Sequence, residues 1–269
     1  MPELPEVETT RVGIEPHLIG RQVKAVVVRE SRLRWPIDPG LQQYLKGQLI
    51  ESVGRRAKYL LLSTSAGRLM IHLGMSGSLR ITTHDVDPET HDHVDIVFDQ
   101  TCLRYRDPRR FGSIFWLPGE ESHPLLDHLG PEPLTDELTG DYLHQMSRGR
   151  RGPVKAFIMN ADVVVGVGNI YANESLYKAG IHPARAAGAI SAKRYQRLSA
   201  CIKETLNAAI AAGGTSLRDF VREDGAPGYF SQALEVYGRA GKPCGQCGKA
   251  LKEIRQSGRT TVFCAGCQR

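Results

Sequence analysis

The amino-acid sequence predicts an α+β protein of several domains: an antiparallel β unit, sandwich or barrel, with flanking helices, then a helical domain, then a four-cysteine hairpin. Three observations predict it. Residues 22–117 hold short runs rich in Val, Ile, Leu and aromatics, with no helical pattern between them. Beyond Gly130-Pro131-Glu132-Pro133 the apolar spacing changes to threes and fours. Two Cys-x2-Cys pairs then fall within the last 26 residues.

In chain order, residues 6–18 read as a helix. Extended segments follow at 23–28, 59–62, 69–73, 94–98, 103–105 and 113–117, separated by Gly, Pro, Asp or Thr. The clearest helix starts after Ser191, a good N-cap, carries Tyr195, Leu198, Ile202, Leu206 and Ala209 on one stripe, and stops at Gly213-Gly214. Segments 135–146, 153–160 and 169–179 are its expected helical partners. Residues 215–230, with Glu223-Asp224-Gly225-Ala226-Pro227-Gly228, read as a mobile polar loop. The expected domains are 1–130, 131–230 and 231–269.

A chain of 269 residues that is 41% hydrophobic can bury a substantial core. No apolar run reaches the roughly 18 residues of a membrane span, and the N-terminus is acidic where a secretory signal is basic. A soluble, intracellular protein without a membrane partner is expected. Cys102 and Cys201 stand alone and are expected to be buried, inert thiols. Residues 238–269 carry seven bases and one acid, which accounts for the whole net charge of +6. A basic module on a neutral body suits a polyanion, because each phosphate contact releases condensed counterions; a solvated tail is the alternative.

Cys244-Gly-Gln-Cys247 and Cys264-Ala-Gly-Cys267 stand 16 residues apart, the spacing of a four-thiolate zinc site rather than of disulfides. Four protein ligands close the coordination sphere, so one structural Zn2+ is expected and no organic cofactor. Lys249, Lys252, Arg255 and Arg259 between the pairs make this a basic hairpin.

Removal of Met1 would expose the secondary amine of Pro2 beside Glu3. An α-amino group titrates near pH 8 against about 10.4 for lysine, so more of it is free base at neutral pH. A secondary amine that attacks a carbonyl or sugar carbon forms a cationic iminium, an electron sink. While Met1 is attached, Pro2 nitrogen is an amide without a nucleophilic lone pair. The structural alternative is that Pro2 and Pro5 stiffen an arm before the first helix.

Residues Pro2 to Glu8 (PELPEVE), Arg56-Ala57-Lys58-Tyr59-Leu60, His72-Leu73-Gly74-Met75-Ser76-Gly77, Asp107-Pro108-Arg109-Arg110-Phe111-Gly112, Gly166-Val167-Gly168-Asn169-Ile170-Tyr171 and the four-cysteine module resemble, in order and from end to end, the bacterial formamidopyrimidine-DNA glycosylases. The resemblance implies an N-terminal antiparallel β-sandwich with flanking helices, a helix-two-turn-helix domain and a C-terminal zinc-finger hairpin, with DNA held between the halves. It implies a cytoplasmic bacterial monomer that acts on double-stranded DNA containing a damaged purine or abasic site, associated with the nucleoid while it does so. It further implies a glycosylase and β,δ-elimination lyase of base excision repair.

The same resemblance implies a role for each matching residue. Pro2 attacks C1′ of the flipped nucleoside, and Glu3 is the general acid. Lys58 contacts lesion and phosphate and donates a proton in β-elimination. Arg259 serves δ-elimination and phosphate binding, the second role suiting a guanidinium that hardly ever loses its proton. Met75, Arg109 and Phe111 form the trio that fills the vacated stack, Arg109 contacting the orphaned cytosine. Asn169 and Tyr237 hold phosphates, and His91, Arg150 and Lys155 are further DNA contacts. Glu6, Glu174 and the 215–230 loop belong to the lesion pocket and its lid. Exposed solvated positions, ordinary core packing and helix-initiating acids are the local alternatives for these side chains. His72 and His93 carry no expected metal role.

The nearest rival resembles endonuclease VIII, which removes oxidised pyrimidines; Leu4 and the Arg109-Arg110-Phe111 loop argue against it. A non-catalytic, zinc-dependent DNA-binding protein is the rival from another class.

Overall fold

The computed structural model describes residues 2–213 and 234–269. Met1 and the expected loop at 215–230 lie outside the described residues. Two compact units are present; among the described residues one holds 2–127 with 212–213 and the other 128–211 with 234–269.

The first unit opens with helix α1, Leu4–Leu18, whose Val7, Thr10, Ile14 and Leu18 form one buried stripe at helical spacing. Strand β1 (Ala25–Val28) and the short helix α2 (Leu41–Leu45) follow. Next come β2 (Ser52–Arg56), β3 (Tyr59–Thr64), β4 (Gly67–His72) and β5 (Ser78–Thr82), then β6 (Asp92–Val97), β7 (Cys102–Arg106) and β8 (Ser113–Pro118). They make two four-stranded antiparallel sheets, ordered β1-β6-β7-β5 and β2-β3-β4-β8. Leu60, Leu62, Leu69 and Ile71 of one sheet and Val26, Ile96, Leu103 and Tyr105 of the other enter a single core with Val7, Ile14 and Leu18 of α1. The expected sandwich is therefore present, built from eight strands where six were legible. Strands β2 and β5 carry the polar runs Ser-Val-Gly-Arg-Arg and Ser-Leu-Arg-Ile-Thr, and each lies at a sheet edge, where one buried face suffices. The expected inert thiol Cys102 is buried in β7, and burial pushes it up to about 12.

A short helix α3 (Pro124–Asp127) ends this unit. The second unit holds α4 (Gly140–Ser147), α5 (Val154–Ile158), α6 (Asn169–Ala179) and α7 (Ala192–Ala211). The Thr139 hydroxyl caps α4 by accepting the Tyr142 N–H at 3.0 Å. All five expected stripe residues of α7, Tyr195 to Ala209, are buried. Between α5 and α6 the chain turns at 161–163, closed by the Val163 and Val164 N–H groups on the Asn160 carbonyl, and then bends at 164–166.

Strands β9 (Lys252–Gln256) and β10 (Arg259–Phe263) form the terminal hairpin. Its two turn residues, Ser257 and Gly258, have φ of 48° and 74°, the combination a tight hairpin turn matched to strand twist requires. Val236, Leu251, Val262 and Cys264 pack on Tyr177 of α6, so the finger joins the helices in one unit. Asn173 Oδ1 of α6 also accepts the Val262 N–H at 2.8 Å. Among the described residues no helix is long and apolar enough to cross a membrane.

Candidate nucleic-acid interface and metal centre

In the first unit, Pro2 and Glu3 are buried at the mouth of α1. The Glu3 N–H donates to Glu6 Oε2 at 2.8 Å, and the Glu3 carboxylate accepts the Glu6 N–H, a reciprocal capping box. Glu6, expected in the lesion pocket, is fully buried in that box. The helix start thus fixes the backbone and carboxylate of Glu3, the residue that follows Pro2 in the chain. One turn on, Glu8 takes Arg55 of β2 at 2.8 Å and Arg11 at 2.9 Å. Burial would raise the Glu8 carboxyl, but these guanidinium hydrogen bonds outweigh it and hold it below the usual range. The ion pair ties α1 to β2, whose hairpin with β3 turns at Ala57 and Lys58. Lys58 is half-buried at that tip, after an Ala57 held at φ 54°.

Met75, half-buried, lies on the loop between β4 and β5; Arg109 and Phe111, both exposed, lie on the loop between β7 and β8. The Arg109 guanidinium carbon stands 4.8 Å from the centre of the Phe111 ring, an exposed cation-π contact. An aromatic that is 43% exposed beside an arginine suits a surface that stacks on bases. His91 is exposed at φ 77°. His72 accepts the Gly74 N–H on Nδ1 at 3.1 Å, and burial, aided by Lys58 and Arg34, lowers it to about 4. It is a neutral hydrogen-bonding residue. His93 is buried with Nε2 2.8 Å from the Asp107 carbonyl oxygen, to which it donates.

In the second unit, Asn169 opens α6, after an extended Gly168. Lys155 of α5, expected as a direct DNA contact, is 2% exposed. Its Nζ donates to Asn169 Oδ1 at 2.6 Å, Thr261 Oγ1 at 2.6 Å and the Thr260 carbonyl at 3.1 Å. An ammonium has three protons, so these acceptors use all of them. Lys155 therefore joins α5, α6 and the finger, and leaves Nδ2 as the donor end of the Asn169 amide. Arg259 is exposed at the first position of β10 and, with Lys155, Asn160 and Gln256, borders a cavity of about 260 Å3. Arg150 is exposed, its Nε donating to the Met146 carbonyl at 2.9 Å.

Glu174, expected in the lesion pocket, is buried on α6 and accepts three backbone N–H groups: Glu235 at 2.9 Å, Val236 at 3.0 Å and Tyr237 at 2.8 Å. Burial raises its carboxyl, and the three amides pull the other way. The half-buried Tyr237 is positioned through this carboxylate. Such backbone anchoring carries no sequence signal, and neither does the burial of Lys155.

The four cysteine sulfurs all lie within 4.8 Å of one another. Cys244 and Cys267 Sγ are 3.9 Å apart, and Cys247 and Cys264 Sγ 3.4 Å. Four bonds of about 2.3 Å to a tetrahedral zinc imply sulfurs about 3.8 Å apart, so the donor set fits that ion. Tyr177 Oη lies 3.2 Å from Cys244 Sγ and can donate to a bound thiolate, an outer contact that orients the ligand.

Three family models match this chain. Residues 1–114 match the formamidopyrimidine-DNA glycosylase N-terminal domain, 129–221 the formamidopyrimidine-DNA glycosylase H2TH domain, and 241–269 the zinc finger found in FPG and IleRS. A formamidopyrimidine-DNA glycosylase of Stenotrophomonas maltophilia is 60% identical over 270 residues, covering 100% of both chains. A variant Lactococcus lactis FPG solved with Fapy-dG containing DNA superimposes with a TM-score of 0.93 at 32% identity, covering 100% of both. The Lactococcus lactis protein solved with abasic-site DNA gives 0.92 at 32% identity, covering 99% of each. By full-length identity and by domain order, the chain belongs to the formamidopyrimidine-DNA glycosylase family.

Proposed function

We propose that this protein excises oxidised purines, 8-oxoguanine and formamidopyrimidines, from duplex DNA and then cleaves the strand at the abasic site. The observation that carries this reading is the buried Pro2-Glu3 pair at the start of α1, in a chain 60% identical to a named glycosylase. The Lactococcus lactis complexes with Fapy-dG and abasic-site DNA support it.

In the proposed chemistry, Met1 is removed and the free Pro2 amine attacks C1′ of the extruded nucleoside while the base departs with the glycosidic electron pair. Glu3 protonates the sugar ring oxygen, opening the ring and allowing an iminium to form. The iminium withdraws electrons from C2′, so a proton is lost there and the 3′ phosphate leaves; a second elimination expels the 5′ phosphate. Lys58 serves the first elimination. Arg259, Asn169 and Tyr237 bind phosphates, with Arg150 and His91 as further backbone contacts. Lys155 and Glu174 contribute by holding Asn169 and Tyr237, respectively, and Glu6 by capping α1 with Glu3. Met75, Arg109 and Phe111 occupy the vacated stack. Zinc, when bound, holds the hairpin that carries Arg259 and supplies no reacting group. The three modules at 1–130, 131–230 and 231–269 divide these duties in a monomer of the bacterial cytoplasm, where the substrate is found.

The test uses protein freed of Met1, as verified by N-terminal mass, and borohydride reduction. Expected is a covalent complex with duplexes holding 8-oxoguanine opposite cytosine, formed faster than with thymine glycol. Faster reaction with thymine glycol overturns the substrate assignment, and a complex that survives Pro2→Gly overturns the nucleophile.

A further inference from the structure

Three segments of the first unit meet on one buried carboxylate. Asp107, fully buried, accepts the Ser76 hydroxyl on Oδ1 at 2.6 Å, and the Gly112 N–H and Tyr105 hydroxyl on Oδ2 at 2.8 and 3.1 Å. Its backbone is equally occupied. The Asp107 N–H donates to the His91 carbonyl at 3.1 Å, and its own carbonyl accepts the Arg110 N–H at 3.1 Å and His93 Nε2 at 2.8 Å. Ser76 completes a relay, because its Oγ also accepts the Arg109 N–H at 3.1 Å. One residue thus ties together the loop carrying Met75, the segment carrying His91 and the loop carrying Arg109 and Phe111.

The two loops also touch back to back. A side-chain carbon at Gly74, where φ is 63°, would collide with the Gly112 nitrogen and the Phe111 carbonyl carbon; one at Gly112 would collide with Tyr105 Oη and the His72 carbonyl. Only glycine admits this approach, so the two loops pack backbone against backbone. A buried carboxylate is costly to desolvate and is kept where several donors converge on it. Closing an ordinary turn at Pro108 needs only the Arg110 N–H on the Asp107 carbonyl. The bond to Gly112 closes the rest of the same loop on Asp107, and the bond to Ser76 ties that loop to a different one.

We propose that Asp107, acting through Ser76, is the positioning residue that presents Met75, Arg109 and Phe111 as one unit for insertion into the stack. This role rests on the DNA-repair reading above. Displacing a paired base demands that the inserted side chains hold their places against the closing stack. A single-stranded abasic site makes no such demand, since no pair is broken and no partner base must be contacted. Loss of the relay should therefore impair the duplex reaction and spare the single-strand one.

The experiment compares Ser76→Ala, Ser76→Thr and Asp107→Asn with the parent chain, each zinc-loaded and freed of Met1. Asp107→Asn replaces one acceptor oxygen with an N–H group facing existing donors; Ser76→Ala is the milder change should that variant fail to fold. Two rates are read: single-turnover excision from an 8-oxoguanine:cytosine duplex, and borohydride trapping on single-stranded abasic DNA. Expected for Ser76→Ala is at least a tenfold loss on the duplex with single-strand trapping within twofold of the parent, and recovery of the duplex rate in Ser76→Thr. Fluorescence of 2-aminopurine in the opposite strand beside the lesion should lose its unstacking rise in parallel. Equal losses on both DNAs, or no loss on either, overturn the positioning role while leaving the repair reading intact. A parent chain that traps neither DNA overturns both.

Discussion

Lys155 Nζ and Asn169 Oδ1 lie 2.6 Å apart, joining α5 to the first residue of α6. The contact fixes which end of the Asn169 amide can donate, and it engages a buried ammonium with two further acceptors from the finger.

Lys155→Met keeps an unbranched side chain one atom shorter and removes three donors. Asn169 Oδ1, Thr261 Oγ1 and the Thr260 carbonyl lose that partner, at an expected cost of about 3 kcal/mol in stability. Urea unfolding should show it. Affinity for duplex DNA should fall with or without a lesion, because the contact orients Asn169, which we propose binds phosphate; unchanged affinity would remove Lys155 from the proposed interface.

Asp95 and Arg104 form a buried pair on adjacent strands, at 2.9 Å, with both side chains 5% exposed. Burial opposes the Asp95 charge, but hydrogen bonds from Arg104 and Arg29 keep the carboxyl below its ordinary value. Asp95→Ala leaves Arg104 charged without this carboxylate, and a loss of about 3–5 kcal/mol is expected in chemical denaturation. A loss under 1 kcal/mol would mean that nearby Asp92, or water, takes over.

His72 is held near 4 by burial, against 6.5 in an open chain. Its folded value is depressed, so between these limits the unfolded chain binds the additional proton and stability rises with pH. Expected is a progressive loss, up to about 3 kcal/mol, as pH falls from 6.5 toward 4. Glu8, also depressed, adds to the loss only as pH falls below its ordinary value of 4.5. His72→Asn can keep an acceptor for the Gly74 N–H without titrating; thermal denaturation across this range should show a flatter profile, and an unchanged one would assign the slope elsewhere.

Cobalt substituted at the four cysteines should show the intense visible absorption of a tetrahedral four-thiolate site. Stripping the metal with a chelator, or making Cys264→Ser, should abolish that spectrum and weaken DNA binding by at least tenfold, because folding of the Arg259 hairpin is coupled to the metal. A weak, octahedral spectrum would refute the ligand set.

The legible parts are those whose information is local. The stripe of α7, the hydrophobic strands β3, β4, β6, β7 and β8, and the Cys-x2-Cys pairs each lie within a few residues of chain, where periodicity or spacing suffices. Strands β2 and β5 carry little apolar signal because edge strands need few apolar residues. Glu174 and Lys155 matched binding positions by residue type, yet type does not reveal what a side chain meets once packed. Each meets a distant segment instead: the Glu174 carboxylate lies 61 to 63 positions from its three amides, and Lys155 lies 106 from Thr261.

By itself, the sequence determined the β-rich and helical halves, the zinc ligands and the Pro2-Glu3 neighbourhood, since these depend on backbone preference, short spacing and covalent adjacency. Only the tertiary structure decided that Lys155 orients another residue, that Glu174 anchors backbone, and that Asp107 gathers the Met75, His91 and Arg109 segments. Those roles come from hydrogen bonds between groups far apart in the chain. Such bonds form only after packing has buried the groups and left each donor in need of an acceptor.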